Sequence, residues 1–130
     1  MNVSRRLLSS ACRVTVVPKD IPFIVSTTES IKGFKVVQNL GVVAGSTVRT
    51  RNVVGDVFSA MKSYLGGELE LYTQLLVESR EEALHRLQEQ AKRAGGNAVV
   101  GVRIATSNIA PQASEVVAYG TAVVIQESDQ

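Results

Sequence analysis

The chain predicts an α+β subunit in the order β-β-α-α-β-β, a mainly antiparallel sheet packed by one long and one short helix. Three observations carry this. A helical repeat stops at Gly95-Gly96, and a strand apolar on both faces begins at once at Asn97. Two apolar runs precede the helical region and two follow it, so strands and helices are grouped instead of alternating. The valine-rich strands place apolar residues on both parities, which requires cover on both faces.

At 130 residues the chain has the length of one domain, assigned to residues 21–127. With 5% aromatic residues and no tryptophan, its core must be aliphatic. Residues 1–20 form a basic extension, with Arg5, Arg6, Arg13 and Lys19 against Asp20. The remaining residues hold ten basic and eleven acidic side chains, so the body is neutral. A neutral body argues against a nucleic-acid partner, which would need basic residues gathered on one folded face. Met1 to Val17 is rich in arginine and serine and lacks acids, the composition of either a disordered terminus or a mitochondrial transit peptide. Cytoplasm and mitochondrion are therefore the expected compartments. A single cysteine, Cys12, precludes an internal disulfide, and nothing argues for secretion. No stretch has the ~18 apolar residues that a membrane span needs.

Pro18 and Pro22 bracket the start of the domain. Phe23 to Ser26 reads as a first short strand. Phe34 to Val48 reads as a second, long or broken, where Gly41 and Gly45 mark a bulge, a bend or a close backbone approach. Asn52 is placed to cap a short helix starting near Val53, with Val54, Val57, Phe58, Met61, Tyr64 and Leu65 on its apolar face. Gly66-Gly67 ends or hinges it.

The long helix is expected over Glu68 to Ala94. Leu69, Tyr72, Leu76, Ser79, Ala83, Leu87, Ala91 and Ala94 recur at steps of three and four and form its inner stripe. Glu82 with Arg86 and Glu89 with Arg93 are placed on its outer face, each acid four residues before its base. Gly95 or Gly96 supplies the C-cap, with a positive φ expected there. Such a helix spans ~40 Å, whereas a domain of this length is roughly 36 Å across. It must overhang or pack against a second subunit. Asn97 to Thr106 and Glu115 to Gln126 are the last strands, joined across Asn108 to Ala113.

Four strands with two apolar faces need more cover than two helices provide. The simplest source is another copy of the chain, since most soluble oligomers are symmetric homo-oligomers.

Several strings resemble the YbjQ-like family: Phe23-Ile24-Val25-Ser26-Thr27-Thr28, Leu40-Gly41-Val42-Val43-Ala44-Gly45, Gly66-Gly67-Glu68-Leu69 with Tyr72, Gly96-Asn97-Ala98-Val99-Val100-Gly101-Val102, and Glu115 to Val123. They cover residues 21–126 in order. The resemblance implies a small α+β subunit assembling as a homopentamer, with no established reaction and a heavy-metal-binding label. It also implies a cysteine in some relatives where Leu40 stands here.

No catalytic or metal constellation is visible. Zinc and soft metals want several Cys or His ligands, and this chain has Cys12 in the extension and His85 on the polar helix face. One histidine leaves no triad, and Glu81 with Glu82, or Glu68 with Glu70, reads as surface charge. Gly41–Gly45 and Gly95–Gly101 lack the phosphate-loop lysine and the dinucleotide spacing, and close backbone packing is the expected reason for Gly101. Neither cofactor nor substrate can be named. Arg49, Arg51, Asn52 and Asp56 form the densest polar cluster, at a strand end leading into a helix N-terminus where a small anion could bind. The competing role is structural: capping by Asn52, and an intersubunit ion pair from arginine to Asp56 or Glu68. Function is expected to be non-enzymatic, self-associating and ligand-binding, with metal binding or an interface-formed enzyme as alternatives.

Overall fold

Strand-forming valine and threonine dominate residues 34–50 and 98–127, and these runs build one sheet with the order β1-β3-β4-β2. The computed structural model describes residues 20–50, 68–111 and 113–129, with the side chains of residues 50 and 68–72 left out. The strands are β1 (Ile24–Val25), β2 (Phe34–Thr50), β3 (Ala98–Ala110) and β4 (Ala113–Glu127), and the helix is α1 (Glu68–Arg93). β4 runs antiparallel to both β2 and β3, and β1 adds to β3 in parallel. The α+β fold and the mainly antiparallel sheet are thus as expected, the parallel β1–β3 pair makes the sheet mixed, and the long helix ends one residue before Ala94. The short helix expected over 53–65, the Gly66-Gly67 hinge and the basic extension up to Lys19 lie outside the described residues.

α1 crosses one face of the sheet on a stripe spaced by four: Ser79, Ala83, Leu87 and Ala91 are all buried. They meet Val99, Val102, Val116, Ala118 and Ala122, with Leu40, Val43 and Leu84 at the margin. The helix comes very close at Gly45. A methyl group there would collide with the backbone N of Leu87 and O of Ala83 and lie 2.8 Å from the Arg86 carbonyl carbon. Gly41 takes the other role expected of the pair. Its φ of 104° sits at the register step between Asn39 and Gly41, a conformation that a side chain would strain.

The helix end is a Schellman motif. Gly95 has φ 90°; its N–H donates to Lys92 O at 3.0 Å, and the Gly96 N–H donates to Ala91 O at 2.9 Å. The positive φ expected at either glycine belongs to Gly95. Gly96 is needed for space, because a Cβ there would lie 3.1 Å from Val123 O. The expectation for Gly101 is corrected in the opposite sense. Nothing lies within 4 Å of a Cβ built on it, and its φ of 64° serves the bulge between Val100 and Arg103.

Two placements on the helix also change. Leu76 belongs to the inner stripe by angle yet is 49% exposed. Ser79 already meets Thr47 and Arg49 near the end of β2, so Leu76, about one turn earlier, falls at the margin of that contact. Ala94, beyond the last turn, is exposed.

Among the described residues, the opposite sheet face is covered only at one end. There Ile21, Ile24, Ile31 and Phe34 pack on Ala98, Val100, Val123 and Ile125. Farther along, Val42 is 82% exposed, Val48 51% and Tyr119 43%. Alternation along the paired strands puts all three on the face away from α1. The two-sided cover expected for β2 is therefore not supplied by the described residues.

Candidate functional site

Arg49 lies near the end of β2, pointing at α1 on the same side as Gly45 and Thr47. Its Nη2 donates to Glu82 Oε2 at 2.9 Å and its Nε to Ser79 Oγ at 3.3 Å. Ser79 Oγ in turn donates to Leu75 O, one turn back. Arg86, four residues after Glu82, donates to Glu82 Oε1 at 2.6 Å and to Ser46 O at 2.5 Å. Thr47 Oγ1 donates to Ser79 O at 3.2 Å, so the same patch is stitched from the strand side. Two guanidinium groups thus share one carboxylate, leaving a net positive charge at the helix–strand seam.

This changes the sequence reading in two ways. Glu82 does not stand on an outer face; it is half-buried and turned to β2. Arg49 has an acidic partner in its own chain, Glu82, where Asp56 or Glu68 of another subunit was expected. Arg51, Asn52 and Asp56 lie outside the described residues, so of the four candidates only Arg49 is placed. The pair expected between Glu89 and Arg93 is instead a longer contact from Glu89 to Lys92, at 3.9 Å. The Lys92 ammonium also lies 5.6 Å from the centre of the Phe23 ring, a cation–π contact that holds the N-terminal segment to the helix end.

A separate open cleft of about 460 Å³ lies where β1 gives out beside β3, walled by Val25, Leu84, Val102 and Ile104 with Arg103 at its rim. Arg103 Nη1 donates to Thr27 O and to Val102 O, both at 2.9 Å. The guanidinium therefore pins the loop after β1.

Sequence reasoning missed Asn97. It is 5% exposed, and its side-chain amide completes a rung of the sheet. Nδ2 donates to Ile125 O at 2.9 Å, while Oδ1 accepts the Ile125 N–H at 2.7 Å. The available signal was a lone asparagine directly before an apolar strand, where a polar side chain must find partners once buried.

The helix packed on one face of a mixed four-stranded sheet can be set against known proteins. A family model described as "Putative heavy-metal-binding" and named YbjQ matches residues 23–126. The chain belongs to the YbjQ family. A UPF0145 protein of Dehalococcoides mccartyi is 46% identical over 103 residues, covering 79% of this chain and 99% of the relative. One from Acinetobacter baylyi is 51% identical over 94 residues (72% and 87%), and one from the archaeon Thermococcus kodakarensis is 43% identical over 106 residues (82% and 94%). A crystal structure of a protein of unknown function from Pediococcus pentosaceus superposes with a TM-score of 0.51 at 22% identity, covering 81% of this chain and 98% of that one. That likeness speaks for the fold alone.

The YbjQ description raises the question of a metal. Among the described residues no three His, Cys, Asp or Glu side chains come together. His85 is exposed on α1, and the neighbouring Glu82 is held by two arginines. Among the described residues of one subunit, this donor set does not fit a heavy-metal centre, which needs several converging soft or imidazole ligands. No described helix is long and apolar enough to cross a membrane.

Proposed function

We propose that this YbjQ-family chain is a self-associating, non-enzymatic binding protein whose copies close into a ring, five being the number that its family resemblance implies. The supporting observation is the uncovered sheet face. Val42, Val48 and Tyr119 are exposed on strands whose other face packs against α1. Exposed apolar side chains grouped on one surface mark an interaction site. The ligand is a small anion or ion held at a subunit seam, and the net positive charge left by Arg49 and Arg86 around Glu82 is its most suitable anchor. Cytoplasmic residence accompanies this reading; the bacterial and archaeal relatives lend no support to mitochondrial import.

Val42→Glu with Val48→Glu tests it. Light scattering should fall from the assembled mass to that of one chain while the helical circular dichroism persists. An unchanged assembled mass would remove this face from any interface. Phosphate and sulfate should raise the melting temperature of the parent protein and do so less in Arg49→Gln. Heavy-metal binding, which the family description favours, would show instead as a Zn²⁺- or Cu⁺-specific shift that survives deletion of residues 1–20.

A further inference from the structure

The cleft beside β1 exists because β3 is bulged there. Gly101, with φ 64°, sits in the register step between Val100 and Arg103. Two successive amides of the bulge hold the segment that follows β1: Gly101 N–H donates to Thr28 O and Val102 N–H to Ser26 O, both at 3.0 Å. β1 itself ends at Val25. The space between this segment, β3 and Leu84 of α1 is left open.

The polar groups around that space are not equally engaged. Thr28 Oγ1 donates to Ser30 O, so in the 2.6 Å contact between the two hydroxyls Ser26 is the donor, and Ser26 Oγ also accepts the Thr28 N–H at 3.2 Å. The Ser26 hydroxyl proton is therefore spent. Arg103 is different. Its Nη1 donates to Thr27 O and Val102 O, which fixes the guanidinium, while its Nε and Nη2 have no hydrogen-bond partner among the described residues. None of the ion pairs among the described residues includes Arg103. It is also the one charged residue among the described ones that line the cleft.

We infer that this cleft binds a small aliphatic monocarboxylate, with its carboxylate on Arg103 and its tail against Val25, Leu84, Val102 and Ile104. A guanidinium offers paired N–H donors that match the two oxygens of a carboxylate. Apolar walls lower the local dielectric and strengthen that pairing. One cation suits one negative charge; a phosphate dianion would call for a second, and the described lining has none. Val25 and Ile104, both exposed, are the apolar surface that the tail would cover. The volume of about 460 Å³ lies within the range of small-molecule sites. This site is distinct from the Arg49–Glu82–Arg86 seam and does not depend on self-association.

Methyl NMR of the full-length protein titrated with sodium hexanoate tests the site. The methyl signals of Val25, Leu84, Val102 and Ile104 should shift, with a Kd of about 1 mM for a ligand of this size. Octanoate should bind roughly 4–16-fold more tightly, at two- to fourfold for each added methylene. Hexanol and hexylamine should bind about tenfold more weakly than hexanoate. Arg103→Gln should weaken hexanoate about tenfold and leave hexanol unchanged. Because Arg103 also pins the loop after β1, Ile104→Glu is the second variant: it keeps those bonds, places a like charge beside the carboxylate and should abolish hexanoate binding with helical circular dichroism retained. Absence of methyl shifts at about 10 mM hexanoate would overturn the assignment. So would hexanol binding as tightly as hexanoate, or displacement of hexanoate by sulfate, which would make the site one for any anion.

Discussion

Replacing Gly45 with alanine puts one methyl group where the helix touches the sheet. The new Cβ would lie closer than real Cβ atoms come to Leu87 N and Ala83 O, and 2.8 Å from the Arg86 carbonyl carbon. All three are backbone atoms of a regular helix, so no side chain can rotate to make room. To restore ordinary contact, α1 must withdraw by about 1 Å, a gap that forfeits up to half of a dispersion well. Leu87, fully buried, faces the sheet at that point. A buried leucine makes 40–60 contacts worth ~0.1–0.2 kcal/mol each, so the gross loss is roughly 2–6 kcal/mol. Relaxation returns part of this, leaving about 2–4 kcal/mol, at or above the usual range for overpacking. Urea unfolding at fixed protein concentration is the assay, since assembly makes apparent stability depend on concentration. With a slope of about 1.5 kcal/mol/M the midpoint should fall by ~1.3–2.7 M. Gly95→Ala is the comparison: its φ is 90° but no atom crowds it, so only the backbone term of about 1–2 kcal/mol applies. A Gly45→Ala midpoint within 0.3 M of the parent, or above that of Gly95→Ala, would refute the close approach.

Three further outcomes are expected. Asn97→Leu strands the N–H and C=O of Ile125 and should lower unfolding free energy by about 2–4 kcal/mol in denaturant titration; a loss below 1 kcal/mol would show that the amide rung is dispensable. Glu82→Gln weakens the hold on both arginines. Because the pairs are partly exposed, stability should change by less than about 1 kcal/mol, while the melting-temperature gain from sulfate should grow; a smaller gain would speak against an anion at this seam. Ala83→Glu buries a charge against Gly45 and should abolish cooperative thermal unfolding followed by circular dichroism.

The parts of this fold that were legible in the sequence are those with a repeating signal. The step of three and four from Ser79 to Ala91 gave the helix and its buried stripe, and Gly95-Gly96 gave its end. Two glycines inside an apolar run announced that β2 would be irregular. Which glycine bends and which yields space depends on what lies across the interface, so Gly45 and Gly101 could be assigned only from the packed structure. Leu76 shows the same limit: helical angle was readable, but where the sheet ends beneath the helix was not. Glu82 looked like half of a surface pair because its second partner, Arg49, lies 33 residues away. Asn97 offered no periodicity, and its role appears only once Ile125 is seen opposite. Of the proposed anion cluster, only Arg49 falls among the described residues, one position before the end of β2. Its placement against α1 comes from the tertiary fold.

The account rests on the claim that the sheet face bearing Val42, Val48 and Tyr119 is finished by another copy of the chain. Native mass spectrometry of the full-length protein at micromolar concentration tests this most directly. Five copies of a 13.9 kDa chain predict a discrete species near about 70 kDa that persists on dilution. A single 13.9 kDa species with cooperative unfolding across the same range would contradict it.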